Sequence, residues 1–383
     1  MNNLFSKKIE GMPISIFSTI SKLAFEFNAV NLGQGFPDFN GPDWLIEYLS
    51  QAMKEGKNQY APSYGIHSLK QSIQSFHKKF YDLNWQDDEI IVTAGATESL
   101  FDTFNAFLND GDEVILFEPF YDSYLADIKL AGGIPKVVTL HKPDFSFSFT
   151  ELEQTITNKT KMLVINNPHN PTGKVYSKEE LEFIAKLAIK NDLLVVSDEV
   201  YEFLTYDGKT HIPIATLPGM KERTITISSA GKTFGFTGWK IGFSLGKKEL
   251  IDAIHSIHQW TTFAVNTPAQ HAVAKAFLQL DNYLPEFKKM YQSKRDLVLN
   301  GLQNSNFKAF KPFGSYFIMA EFPKTAFKDD IDASMQLIKK YSVATIPPSV
   351  FYSKSDEGRS MLRICFAKTD ETLLNGLNNL KKV

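Results

Sequence analysis

Three short stretches of this chain place chemically active side chains directly after runs of apolar residues. Asn166-Asn167-Pro168-His169-Asn170-Pro171-Thr172-Gly173 follows the run Lys161–Asn166. Ser197-Asp198-Glu199-Val200-Tyr201 follows Leu193–Val196, and Ser228-Ser229-Ala230-Gly231-Lys232 follows Thr224–Ile227. An amide, a carboxylate, a phenol and an amine are groups that hold ligands and move protons. Lys232 has an unusual setting for a lysine, among Ser, Ala and Gly after an apolar strand rather than on a charged helix face. In an open α/β sheet, ligands bind beyond the carboxyl ends of the strands, so the three stretches can converge on one pocket.

Other patterns imitate known motifs. Gly231-Lys232-Thr233 looks like the end of a phosphate-binding Walker loop, but Thr226 stands where that motif needs its first Gly. Gly33-x-Gly35 opens like a dinucleotide fingerprint, yet the third position is Asp38 and no strand precedes it. Gly242-Phe243-Ser244-Leu245-Gly246 formally matches the serine-hydrolase nucleophile elbow, the rival reading from another chemical class, with Ser244 as nucleophile. Against it, Ser244 lies inside the apolar run Trp239–Leu245. Asp252 and His255 are three residues apart, which suits one helical face rather than two triad loops. No His pair has metal-ligand spacing and Cys365 is the one Cys, so neither a metal site nor an intramolecular disulfide is expected.

The elements that must position these groups follow from the hydrophobic pattern. Glu89–Thr93, Glu113–Phe117, Ile134–Leu140, Lys161–Asn166, Leu193–Ser197, Thr224–Ser228 and Trp239–Leu245 read as strands. Helices are expected near Ile14–Phe27, over Thr97–Leu108, and from the Ser177/Glu180 capping box through Lys190. After Leu280 come a long helix near Pro285–Leu302 and short strands at Ser315–Glu321 and Leu362–Ala367. Short strands alternating with helices imply an α/β fold. The expected large domain, residues 43–280, carries a mainly parallel seven-stranded sheet between helices. A smaller α+β domain combines residues 1–42 and 281–383.

Composition bounds the partners. The chain has 383 residues, enough for about two domains. With 41 Lys+Arg against 43 Asp+Glu the net charge is −2, without the basic excess of a nucleic-acid protein. No apolar run is long enough to span a membrane, and Met1–Glu10 lacks the apolar core of a signal peptide, so a cytoplasmic protein is expected. Only Arg223, Arg295, Arg359 and Arg363 can offer a planar guanidinium. Arg363 alone lies in an apolar strand context, Met361-Leu362-Arg363-Ile364-Cys365-Phe366.

Further strings, Asn58-Gln59-Tyr60-Ala61-Pro62, Val92-Thr93-Ala94-Gly95-Ala96-Thr97-Glu98, Ala230-Gly231-Lys232-Thr233-Phe234 and Thr237-Gly238-Trp239-Lys240, give the chain a family resemblance. It resembles a fold type I pyridoxal-phosphate aminotransferase of class I/II, over nearly its whole length from Asn31 to Phe366. The branch it is most similar to holds kynurenine aminotransferases and bacterial methionine aminotransferases. The resemblance implies that Lys232 binds pyridoxal 5′-phosphate as a Schiff base and shuttles the substrate proton, and that Asp198 pairs with the ring nitrogen. Tyr201 and Asn170 would hydrogen-bond the ring's phenolic oxygen, and Tyr121 would stack on its face. Gly95, Ala96 and Thr97, at the start of a helix, would supply backbone N–H groups to the phosphate, with Ser229 and Lys240. Lys240 stands where the wider family usually has Arg.

Tyr60 matches a residue that reaches the phosphate of the neighbouring subunit, implying a homodimer with shared active sites. Arg363 would clamp the substrate carboxylate, with Asn170 and Gly35 beside it. Phe17, and Phe263 from the neighbouring subunit, would line the side-chain pocket. No second Arg has a pocket context, so the expected donors carry large uncharged side chains: methionine, aromatic residues, kynurenine and glutamine. The amino group would pass to a 2-oxo acid by a ping-pong route. The rival within the same chemistry is a carbon–sulfur β-lyase.

Overall fold

The computed structural model describes residues 6–9 and 15–383. Its strands, in chain order, are β1 (Val30–Asn31), β2 (Ile90–Thr93), β3 (Glu113–Glu118), β4 (Ile134–Thr139), β5 (Thr160–Asn166), β6 (Leu194–Asp198), β7 (Thr224–Ser229), β8 (Gly242–Leu245), β9 (Lys308–Ala309), β10 (Phe317–Glu321), β11 (Val343–Ala344) and β12 (Met361–Cys365). Seven of them form one sheet in the order β2-β8-β7-β6-β5-β3-β4. Strand β8 runs antiparallel to both neighbours, and the other pairs are parallel.

The strands read as continuous apolar runs because both faces of the sheet are covered. Side chains alternate across a strand, so β3 divides its residues between two cores. Val114 and Leu116 pack with Leu100 and Phe104 of the helix Ala96–Phe107 and with Ile251 and Ile254 of the helix Lys248–Thr261. Ile115 and Phe117 pack on the opposite face with Leu181 and Ile184 of the helix Lys178–Lys190. That last helix starts where its capping box requires, with Ser177 and Glu180 satisfying each other's backbone N–H.

The N-terminal segment joins the C-terminal part of the chain. Strand β1 pairs in parallel with β11, and the helix Ile16–Glu26 buries Ile20 and Ala24 against Ile338, Ile346 and Phe351. Strands β9, β10 and β12 form an antiparallel sheet beside this layer. Among the described residues no helix is long and apolar enough to cross a membrane.

Several boundaries differ from the sequence reading. The expected strand Trp239–Leu245 begins only at Gly242, because Thr237–Trp239 form a 3₁₀ turn and Lys240 takes a left-handed φ of 54°. The long helix begins at Leu280 rather than near Pro285; within it, Pro285 removes one bond near the N-terminal end. The first helix starts at Ile16, and Ile14, expected to begin it, lies outside the described residues. The hydrolase reading is overturned. Ser244 sits inside β8, fully buried, and its hydroxyl has no partner among the described residues. The two glycines of that motif serve packing: a Cβ on Gly242 would meet the Gly95 carbonyl carbon at 2.5 Å, and one on Gly246 would meet the Thr224 oxygen at 3.2 Å. Asp252 and His255 face Tyr64 and Ser63 instead.

Candidate active site

Parallel registration brings the three stretches to one edge. Asn166 ends β5, Asp198 ends β6 and Ser229 ends β7, with Asn166 opposite Asp198 and Asp198 opposite Ile227. Beyond Ser229 the chain turns into a short helix, Ala230–Phe234, whose first turn Ser229 caps by accepting from Gly231 N–H at 3.3 Å. Lys232 projects from it into a cavity of about 280 Å³. Phe17, Gly35, Gly95, Ala96, Thr97, Tyr121, Asn170, Asp198, Tyr201, Ser229, Lys240 and Arg363 share that cavity with it.

The Asp198 carboxylate is buried, accepts from the Tyr124 hydroxyl, and receives Val200 N–H at 3.3 Å. Burial pushes its pKa up to about 6 against those hydrogen bonds, so it is a desolvated anion facing the cavity without a full countercharge. Enclosure acts on Lys232 in the opposite direction and lowers its amine to about 8. Lys232 Nζ lies 3.1 Å from the Tyr316 hydroxyl and 3.4 Å from the Gly35 carbonyl oxygen. Burial raises the Tyr121 phenol to about 12, so it stays neutral.

Across the cavity, Gly95 has φ +81°, and the helix Ala96–Phe107 starts directly after it. Its free N–H groups and dipole make an anion site. Lys240, turned inward by its left-handed backbone, puts Nζ 3.1 Å from where a Gly95 Cβ would stand. Glu98 braces this loop by accepting from Ala94 N–H and from His258 Nδ1.

Arg363 occupies the middle of β12, buried, and donates to Asn170 Oδ1 at 3.1 Å and to the Gly33 carbonyl at 2.8 Å. Its Nε has no partner among the described residues. The rings of Phe317, Phe17 and Phe351 lie 4.2, 4.9 and 5.3 Å from the guanidinium carbon. This guanidinium is held in place with donor capacity left over, a geometry suited to a carboxylate.

Two expected residues stand apart. Tyr60 is 83% exposed and Phe263 52% exposed, neither lines the cavity of its own chain, and their rings meet edge-on at 5.5 Å. Sequence reasoning missed Tyr124, Tyr316, Phe317 and Phe351. Tyr124 was within reach, since Tyr121 and Tyr124 are three apart on a helical segment and share a face. The others carry no local signal.

A mainly parallel seven-stranded sheet with one reversed strand beside the anion cradle, and a lysine on the turn after its neighbour, defines the fold type I class of pyridoxal-phosphate enzymes. The chain belongs to aminotransferase class I and II, the family pattern matching residues 28–380. It is 41% identical to a kynurenine–oxoglutarate transaminase of Dictyostelium discoideum, over 99% of this chain and 96% of that one. It is 36% identical to a methionine aminotransferase of Escherichia coli, over 98% and 97%. The solved structure of an Escherichia coli protein with a methionine aminotransferase function superposes with a TM-score of 0.95 at 35% identity, covering 99% of this chain and 100% of that one. The family works with pyridoxal 5′-phosphate. The residues here fit that group: a cradle whose Gly95 a Cβ would close against Lys240, a buried anion in Asp198, and the Lys232 amine in the same cavity.

Proposed function

We propose that the chain transfers the amino group of amino acids with large uncharged side chains (methionine, aromatic residues, kynurenine, glutamine) to a 2-oxo acid, by a ping-pong reaction with pyridoxal 5′-phosphate. The observation that carries the substrate class is the fate of the four arginines. Arg223 pairs with Asp192, Arg295 with Asp207 and Asp296, and Arg359 with Asp356. Arg363 alone reaches the cavity, and aromatic rings surround it. One guanidinium serves the α-carboxylate, and a distal carboxylate would enter an aromatic setting with no arginine of its own.

In this reading Lys232 would hold the cofactor, Asp198 would pair with its ring nitrogen, Tyr201 and Asn170 would bind its ring oxygen, and Tyr121 would cover its face. Gly95, Ala96, Thr97, Ser229 and Lys240 would hold the phosphate. The bound cofactor supplies an electron-withdrawing ring that stabilises negative charge at the substrate α-carbon. Arg363 and Asn170 fix the substrate carboxylate beside Gly35, which orients the α-hydrogen. Lys232 Nζ, its proton affinity lowered by enclosure, takes that proton and returns it. Asp198, ionised beside a cation, would keep the ring nitrogen protonated. Residues 43–280 form the cofactor-binding part, and residues 1–42 with 281–383 the part that brings Phe17 and Arg363. A homodimer completes each site with the partner's copies of Tyr60 and Phe263, which their exposure leaves free to do.

Single-turnover bleaching of the bound chromophore tests the substrate class. Methionine should exceed aspartate in efficiency by on the order of 100-fold, the cost of an unpaired buried carboxylate. Aspartate equal to methionine would overturn the class. Pyruvate release from cystathionine in place of transamination would favour the β-lyase.

A further inference from the structure

The Lys232 amine has a close neighbour that the roles above leave without a task. Lys232 Nζ lies 3.1 Å from the Tyr316 hydroxyl, and that hydroxyl lies 2.6 Å from the Gly35 carbonyl oxygen. A carbonyl oxygen only accepts, so the single phenol proton is committed to Gly35. The phenol lone pairs are then left for the amine, which also has the Gly35 oxygen at 3.4 Å, and for the Tyr201 hydroxyl, a second hydrogen-bond neighbour of the same phenol. The ring has little freedom. Tyr316 is 1% exposed, meets Tyr201 edge-on with centroids 5.1 Å apart, stacks on Tyr291 at 6.1 Å and abuts Phe317 at 4.8 Å. The carbonyl is confined as well, since a Cβ on Gly35 would stand 3.0 Å from the Phe317 ring.

We propose that Tyr316 is a positioning residue for Lys232: its hydroxyl, oriented by the Gly35 carbonyl, gives the amine a fixed acceptor that aims it and stabilises its protonated form. The inference rests on the reading of Lys232 as the reacting amine. An amine that must take a proton from one atom and return it to another gains from an acceptor that does not move with it. A neutral oxygen with its own proton engaged favours ammonium over amine. It does so among the other groups that face Lys232: enclosure, Lys240 and Arg363 lower its proton affinity, the Asp198 carboxylate raises it, and the buried Cys365 thiol is neutral where the amine titrates. The Tyr201 ring centroid lies 5.8 Å from Nζ.

The first test needs no cofactor. Competitive acetylation of the cofactor-free protein across a pH series, followed by peptide mass analysis, gives the titration midpoint of Lys232. Tyr316→Phe should move that midpoint down by about one unit, the size of a hydrogen bond to a charged group. Tyr206→Phe is the control: it removes a buried hydroxyl that donates to the neighbouring Ser315 carbonyl, and it should leave the midpoint in place. An unmoved midpoint in Tyr316→Phe, or an equal shift in Tyr206→Phe, overturns the proposal. If Tyr316→Phe does not fold, 3-fluorotyrosine at position 316, isosteric with a weaker acceptor oxygen, carries the same test with a smaller downward shift. In the loaded enzyme, Tyr316→Phe should lower kcat by roughly 10- to 100-fold with KM nearly unchanged, and the loss should grow with an α-deuterated donor. An unchanged kcat also overturns it. If the wild-type protein transaminates no donor, the functional reading falls, and the labelling profile still decides the Tyr316 contact.

Discussion

At the scale of single residues, the site sets function against stability. Lys232 is held with its amine at about 8 where a free lysine sits at 10.5. Below pH 8 the folded and unfolded chains both carry the proton, and the folded one must hold it in an enclosed cavity. Between pH 8 and 10.5 the unfolded chain binds more protons than the folded one, so the contribution of this group to stability rises with pH. Above 10.5 it vanishes. Lys232→Met should therefore stabilise the cofactor-free protein by about 2 kcal/mol at pH 7, cavity water screening part of the full shift. The advantage should disappear as pH approaches 10.5. Urea denaturation of both proteins at a series of pH values measures it, and a pH-independent difference would show that packing rather than charge is responsible. Asp198 shows the same principle with the opposite charge, since burial raises its carboxyl to about 6.

At the scale of elements, the anion cradle at the start of the helix Ala96–Phe107 depends on a strand that contributes no side chain to it. Strand β8 runs against the grain of the sheet between β2 and β7, and Gly242 opens it directly against the Gly95-Ala96 backbone. A Cβ there would meet the Gly95 carbonyl carbon at 2.5 Å and the Ala96 nitrogen at 2.7 Å, backbone atoms that cannot rotate away. Gly242→Ala should cost about 1–3 kcal/mol in stability and weaken cofactor retention by roughly tenfold or more, because the first turn of the helix must shift. Thermal unfolding and a fluorescence titration with pyridoxal 5′-phosphate check the two effects. Normal retention would mean that the cradle tolerates displacement. The same glycine explains why G-x-S-x-G occurs here without hydrolase chemistry. Its spacing serves contact between layers, and its serine is an interior strand residue.

At the scale of the whole molecule, Tyr60 and Phe263 predict that one chain is an incomplete catalyst. They lie outside their own cavity and well exposed, Phe263 at a left-handed φ of 67°. Chains carrying Lys232→Ala should be inactive, and chains carrying Tyr60→Ala should retain cofactor poorly. Co-expressed, they should regain activity, because a mixed dimer has one site with both residues intact. Random pairing limits the recovery to roughly a quarter of the wild-type value. Activity no greater than that of the two variants assayed apart would mean that each chain completes its own site.

What the sequence determined by itself was local. Strands buried on both faces must be apolar runs, so their positions, and the polar residues that end β5, β6 and β7, were legible without tertiary information. The Ser177 capping box was legible for the same reason. Lys232, Asp198 and Asn170 belong to such stretches, and Arg363 was recognisable because an arginine in an apolar strand is out of place. The tertiary structure decided what depends on distant chain segments meeting. The Trp239–Leu245 run looked like one strand until its turn, wound to aim Lys240 at Gly95, cut it to four residues. Tyr124 meets Asp198 across 74 residues and Tyr316 meets Lys232 across 84. Nothing in the local pattern around Tyr316 distinguishes it from the other buried aromatics. Its hydroxyl acquires a role only because folding brings the Gly35 carbonyl and the Lys232 amine within hydrogen-bond reach of the same oxygen.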